Sequence, residues 1–457
     1  MAGPKSTDGP NPALSYLWLL LAVGMLWCVS RFAGAAIVER LTSLEDVPYA
    51  PALAAFVLIA LCSFASAYAT RGTPIPSFVV AIALGIAGHA LFAPIVADKT
   101  ALGAIVSGAA AIILFSGGLE ITLREFLRLL VKVSLLALPG VLLTGFTFSS
   151  VLQGLSQAMG AAIAMPVIIL LGAILASTDP AAIIPVLQGV RFKDRATKDI
   201  VVAESALNDV AGALLTTAFL KIPLVGLSVI AAYADLATPE YYRFLALQAG
   251  YGVIAGTATW LGLLLLSLIK KRQKARYGAD QIYFLAMPVA AFVGAAALGG
   301  SGFLAAFVAG ILFRTEAHMA EIERFFTQVI DGLAKPAIFL LVGAMVDPGA
   351  LVAYAPVGIA VALIFMFVLR PAMVFLMLGG YILLPNSPRR LSLRQLAFFS
   401  FVRETGAIPA VLLIPAVDRM TGGTAGLVEI GMWVILLTLI LAPPLTPVVA
   451  RRLGVAE

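Results

Sequence analysis

Charge is what this sequence has least of. Asp, Glu, Lys and Arg together make 12% of 457 residues, against 61% hydrophobic. A water-soluble body of this length would carry far more charge on its surface. A soluble globular class is therefore excluded and a polytopic helical membrane protein indicated. Histidine is nearly absent, with His89 and His318 the only two, so a histidine base or a multi-histidine metal cluster is poorly supplied. The two cysteines, Cys28 and Cys62, both lie in apolar runs, which removes a disulfide framework or a CxxC metal site. The formal charge is +6, but the basic residues fall in short loops between apolar runs. That distribution reads as membrane topology and not as a nucleic-acid partner.

Long apolar runs are what the sequence has in quantity. Fourteen can be read, roughly 14–38, 50–70, 74–96, 101–120, 133–153, 160–188, 199–234, 244–269, 281–298, 301–313, 328–346, 352–384, 396–417 and 425–450. Most reach the about 20 residues that carry a helix across hydrocarbon. The shortest is 301–313, and 199–234 is long enough to bend near Pro223. "AGAA" at 33–36 faintly resembles a leader cleavage site, but the leader holds one lysine and an aspartate. Retention of the first segment is the expectation, and its removal would leave thirteen.

Basic residues test this threading. With the N-terminus inside, the loops on the inner side hold Lys5, Arg71, Arg124, Arg128, Lys132, Arg191, Lys193, Arg195, Lys198, Lys270, Lys271, Arg272, Lys274, Arg276, Arg314, Arg324, Arg389, Arg390, Arg394, Arg451 and Arg452. The opposite side holds Arg40, Lys99, Arg243 and Arg419. This asymmetry places both termini in the cytoplasm and the chain in the inner (plasma) membrane. The domain expectation is an N-terminal segment with an extra crossing (1–48), a transmembrane domain (49–450) and a short cytoplasmic tail (451–457) with no regulatory domain after it.

Within the apolar runs a few charges remain: Arg31, Asp179, Glu204, Asp209, Lys221, Lys335, Arg370, Arg403 and Glu404, with Asp331 and Asp347 near ends. Each costs about 2.5–3.5 kcal/mol at a helix centre, so each is paired, solvated or functional. Arg31, Lys221 and Asp347 read as snorkelling side chains. Glu120 reads as interfacial, and "KKRQKAR" (270–276) as a solvated loop able to touch anionic lipid.

Two stretches resist the bland reading. "STDP" (177–180) interrupts the sixth segment with Asp179 and Pro180. Pro180 removes a backbone donor, which only a protein-buried or water-lined setting tolerates. "RETGAIP" (403–409) interrupts the thirteenth segment at a comparable place, seven segments later and hence in the opposite direction. Interruptions in corresponding segments of two inverted halves point to a transport site. Asp179, at such a break, either shares a cation with loose carbonyls or caps the following half-helix. In "SALNDVAGALL" (205–215) Asp209 follows Ser205 by one turn on the same face, giving hard oxygens for a dehydrated monovalent cation. Asn208 adds an uncharged amide. Glu204 lies about 140° around the helix from Asp209 and needs a cationic partner, which Arg370 or Arg403 supplies.

"TDP" in one helix, "ESALND" in the next, "LF" followed by "GLE" upstream and "GAIP" near the end together resemble the monovalent cation:proton antiporters, closest to the NhaP-type sodium–proton branch. The resemblance runs from about Pro74 to Pro447, and "TDP" with "ES..ND" at this spacing is its specific part. It implies an all-α polytopic membrane protein of 13–14 transmembrane helices, with inverted repeats, two crossed discontinuous helices, a dimerisation domain and elevator-type alternating access. It implies that Asp209 carries cation and proton, that Thr178 and Ser205 are ligands, that Asp179 supports the broken helices, and that Glu204 pairs with Arg370. No cofactor follows from it. The ligands are H⁺ and Na⁺ in preference to K⁺ or Li⁺, and the partners are the bilayer and a second copy in a homodimer. Two positions depart from the pattern. Ser116 follows "LF" where an acidic residue is common, and Arg403-Glu404-Thr405-Gly406 replaces the usual Arg-Gly, leaving Arg403 and Glu404 as possible support residues.

Electroneutral exchange of one cation for one proton is the function expected, because the Asn208–Asp209 pair has one titrating side chain. An aspartyl protease built on Asp179 and Asp209 is the enzymatic alternative. Symport of an anionic solute is another, but Arg370 and Arg403, the main positive charges available for it, have acidic neighbours or partners. Nothing in the chain resembles a channel selectivity filter.

Overall fold

A computed structural model describes residues 12–44, 46, 47, 49–70, 73, 75–178, 187, 190–272, 280–313, 320–383, 390–420 and 423–457. Among the described residues each of the fourteen apolar runs contains helix, and no strand occurs there beyond one isolated bridge between Phe192 and Ala456. Nine helices among them are long and apolar enough to cross a membrane, or ten if one bent pair counts as a span. Met165–Leu175, Tyr283–Ala297 and Gly302–Leu312 are shorter apolar helices.

Three runs besides 160–188 are clearly divided. The run 74–96 is two helices, Ser77–Ala87 and His89–Ala97, bent by 89° at Gly88. The run 199–234 does not merely bend at Pro223. Its helix Arg195–Phe219 ends before it, and a short helix Val229–Asp235 follows, capped by Ser228, whose hydroxyl accepts from the Ala231 amide. The run 396–417 is split into Leu393–Phe401 and Ala407–Arg419 around 402–406. Proline explains the local geometry elsewhere. A π-helical turn at Leu136–Gly140 contains Pro139, and Phe365–Leu369 precedes Pro371. Proline offers no N–H and pushes on the preceding turn, and the widened turn absorbs this without ending the helix.

The chain forms two compact units, Met1–Leu102 with Asp331–Pro348, and Gly103–Ile330 with Gly349–Glu457. In the first, Ser77–Ala87 packs along Lys335–Ala344. A Cβ on Gly85 would overlap the Leu340 carbonyl oxygen, so glycine is what lets the backbones meet. Arg31 and Asp347 are exposed, while Lys335 is buried and pairs with Asp331 at 2.6 Å.

In the second unit, Arg195–Phe219 is the central helix. It is the least apolar of the nine candidate spans, at a mean hydropathy of 1.3, and the most buried, at 83% of its window against 11% for Tyr16–Thr42. Its polar groups therefore face protein and not lipid. It packs on Met165–Leu175 and on Ala407–Arg419, the helices at the two interruptions. An apolar cluster including Ile200, Val201, Val374, Leu396, Phe398, Phe399 and Ala450 closes one end. The chain's last residues join it: Val455 and Ala456 are buried, the Lys193 amide donates to Val455 O at 3.0 Å and the Glu457 amide to Arg191 O at 2.9 Å.

Candidate functional site

Met165–Leu175 ends two residues before the polar residues Ser177 and Thr178, which continue outside the helix and are buried. Asp179 and Pro180 lie outside the described residues. Gly212 of the central helix faces this segment, since a Cβ there would stand 3.0 Å from Ser177 Cβ. The close approach lets the preceding turn reach Thr178. The Ser205 hydroxyl donates to Thr178 O at 2.6 Å, and Asn208 Nδ2 donates to Thr178 Oγ1 at 3.0 Å. Asp209, next to Asn208 and one turn beyond Ser205, is 2% exposed.

Asn208 also faces the other way. Its Nδ2 donates to Glu204 Oε1 at 2.6 Å, while its Oδ1 is buried with no hydrogen-bond donor among the described residues. Glu204 receives Arg370 in a two-pronged pair, Nη1 at 2.8 Å from Oε1 and Nη2 at 2.9 Å from Oε2. Both side chains are buried. Two parallel charge-assisted bonds plus the Asn208 amide satisfy a carboxylate that would otherwise be costly in this setting. Of the two arginines able to serve Glu204, the structure places Arg370 on it.

Arg370 is delivered by the π-helical turn just before it and by Pro371 just after. Its Nη2 lies 3.4 Å from both Phe399 O and Val402 O, at the edge of the second interruption. Arg403 is buried elsewhere: its Nη1 donates to Ser400 O at 3.1 Å, and its guanidinium lies 4.8 Å from the Phe367 ring centre and 5.4 Å from that of Phe401. Glu404 and Thr405 are buried beside it. The Thr405 amide, which has no helical carbonyl to use, donates to Thr438 Oγ1 at 3.2 Å.

The structure thus gathers Thr178, Glu204, Ser205, Asn208, Asp209 and Arg370 around one helix and ties both interruptions to it. Thr438 was not legible as part of this region, although it is a lone hydroxyl in the run "VILLTLILA" (434–442). The predicted peripheral residues lie apart from this cluster: Glu120 and Lys221 are exposed, with the Lys221 ammonium 4.2 Å from the Phe244 ring centre.

A polytopic helical membrane protein with interrupted helices around buried carboxylates is the class this fold and site define. The profile described as sodium/hydrogen exchanger, transmembrane, matches residues 54–452, and the chain belongs to that family. It is 31% identical over 315 residues to the K(+)/H(+) antiporter NhaP of Alkalimonas amylolytica, covering 68% of this chain and 50% of that protein. It is 31% identical over 265 residues to Na(+)/H(+) antiporter 1 of Methanocaldococcus jannaschii, covering 54% of this chain and 56% of that one. The chain spans little more than half the length of the curated relatives it matches. The solved structure of the sodium proton antiporter MjNhaP1 from Methanocaldococcus jannaschii at pH 8 shares the fold, with TM-score 0.57 and 21% identity over 97% of this chain and 99% of that one.

Proposed function

We propose that this chain is a secondary antiporter exchanging a monovalent cation, Na⁺ or K⁺, for a proton, with Asp209 carrying both in turn. The observation that carries this reading is a buried Asp209 one turn from Ser205, on a helix whose Ser205 and Asn208 hold the non-helical Thr178. A buried carboxylate has two neutral states, protonated or holding a monovalent cation, and competition between them is exchange without a separate coupling device. Thr178 and Ser205 supply hard oxygens suited to a dehydrated monovalent cation. Asp179 supports the interruption it belongs to, and Arg403 and Glu404 support the other.

Glu204 is kept from this chemistry by its two-pronged pair with Arg370, in which the two charges cancel. With Asn208 uncharged, exchange is one for one. The family resemblance adds a homodimer in the inner membrane, working by elevator-type alternating access, and the basic-loop asymmetry supports both termini on the cytoplasmic side. The relatives' names divide between K⁺ and Na⁺, and the same oxygens serve either.

The test is proton flux in proteoliposomes under gradients of Na⁺, K⁺ or Li⁺. Wild-type protein should move protons with at least one cation. Asp209→Asn should abolish the flux while keeping the wild-type melting temperature. Cation-dependent flux that survives in this variant would refute the assignment.

A further inference from the structure

The second interruption leaves a specific debt of hydrogen bonding among buried residues. Non-helical backbone at membrane depth is tolerated only where its polar groups find partners. Two contacts from outside the segment 402–406 meet that need. On the carbonyl side, Arg370 Nη2 reaches Phe399 O and Val402 O, both at 3.4 Å, from the same nitrogen that holds Glu204 at 2.9 Å. On the amide side, the Thr405 N–H reaches Thr438 Oγ1 at 3.2 Å.

Thr438 is fully buried within Leu427–Arg452 and its hydroxyl donates back to Val434 O at 2.9 Å. A hydroxyl has one hydrogen and two lone pairs, so this back-bond fixes its hydrogen and leaves a lone pair aimed outward. Thr446, in the same helix and equally buried, makes the same kind of back-bond, to Ala442 O at 2.9 Å, but no bond to another element among the described residues. The difference between the two threonines is the Thr405 amide.

We propose that Thr438 is a positioning residue of the exchange site. By holding the Thr405 amide it keeps the 402–406 segment where Val402 and Phe399 can engage Arg370. Arg370 in turn orients Glu204, Glu204 receives Asn208, and Asn208, the residue before Asp209, donates to the Thr178 hydroxyl oxygen. This chain of bonds joins the two interruptions through the central helix. It rests on the exchange reading for its function and on the hydrogen bonds alone for its structure.

Thr438→Val keeps the side-chain shape and removes the acceptor, leaving a buried amide unmet. In proteoliposomes it should raise the half-saturating Na⁺ or K⁺ concentration about tenfold, with maximal rate less affected. Thr438→Ser should restore the wild-type value, and Thr446→Val should leave it unchanged. If Thr438→Val does not fold, Thr438→Cys, a weaker acceptor of similar size, should show a smaller shift in the same direction. Unchanged affinity in Thr438→Val and Thr438→Cys, or an equal shift in Thr446→Val, overturns the proposal. Amide hydrogen exchange separates the two readings. Faster exchange over 402–406 in Thr438→Val, and not in Thr446→Val, sustains the positioning role even if the wild type moves no cation, whereas unchanged exchange there overturns it.

Discussion

Two interruptions of membrane helix, at Gly88 and at 402–406, meet the same backbone problem in different ways. At Gly88 the chain turns by 89° and closes largely on itself. The Gly88 amide donates to Leu84 O at 2.8 Å, and its carbonyl accepts from Leu91 at 2.8 Å and Phe92 at 3.2 Å. Ser30 takes the Ala90 amide at 3.2 Å, and His89 Nδ1 lies 2.7 Å from Ala344 O. At 402–406 the helix stops for several residues, and a buried arginine and a threonine from other helices supply partners. A bend that satisfies itself leaves nothing over for chemistry. A break that depends on side chains ties the backbone to the charges that hold it, and here those charges lead to the Asp209 helix.

The comparison breaks most readily at its charged end. Glu204→Gln or Arg370→Ala leaves one buried charge uncompensated, so each should destabilise the protein by about 3–5 kcal/mol. The pair with charges exchanged should recover part of that in thermal melts. Wild-type melting in both single variants would show that the second break does not depend on the pair. A smaller effect is expected at the apolar end. A Cβ on Gly88 would stand 2.7 Å from Phe92 Cε2 and 3.1 Å from both Leu26 Cδ2 and Leu84 O. Gly88→Val should therefore cost about 1–3 kcal/mol by overpacking, yet leave the half-saturating cation concentration unchanged. An affinity shift there would erase the distinction between the two regions. The smallest expected effect is none. With Glu204 and Arg370 cancelling and Asn208 neutral, exchange should ignore a clamped membrane potential, although a net charge would feel about 2.3 kcal/mol per 100 mV. Voltage-driven exchange would show that more than one proton moves per cation.

Much of the fold was legible because the bilayer imposes one rule on every crossing. Apolar runs of sufficient length become helices, and each of the fourteen contains helix among the described residues, down to the short 301–313 run seen as Gly302–Leu312. The interruption at 402–406 was legible from charge and Gly/Pro within an apolar run. The bend at Gly88 was not, because neither a charge nor a proline marks it and a glycine in an apolar helix is common. The end of the central helix at Phe219 was blurred for a similar reason: the residues after it are nearly as apolar as those before.

By itself the sequence determined the helical membrane class, the number of apolar runs, and the carboxylates and hydroxyls that share a turn on the Arg195–Phe219 helix, since those follow from composition and from the helical period. Only the tertiary structure decided which arginine meets Glu204, that Asn208 joins Glu204 to Thr178, and that Thr438 holds the Thr405 amide. Arg370 lies 166 positions from Glu204 in the chain. No local periodicity reaches that far, and packing of whole helices is what selects one buried cation over another of the same chemistry.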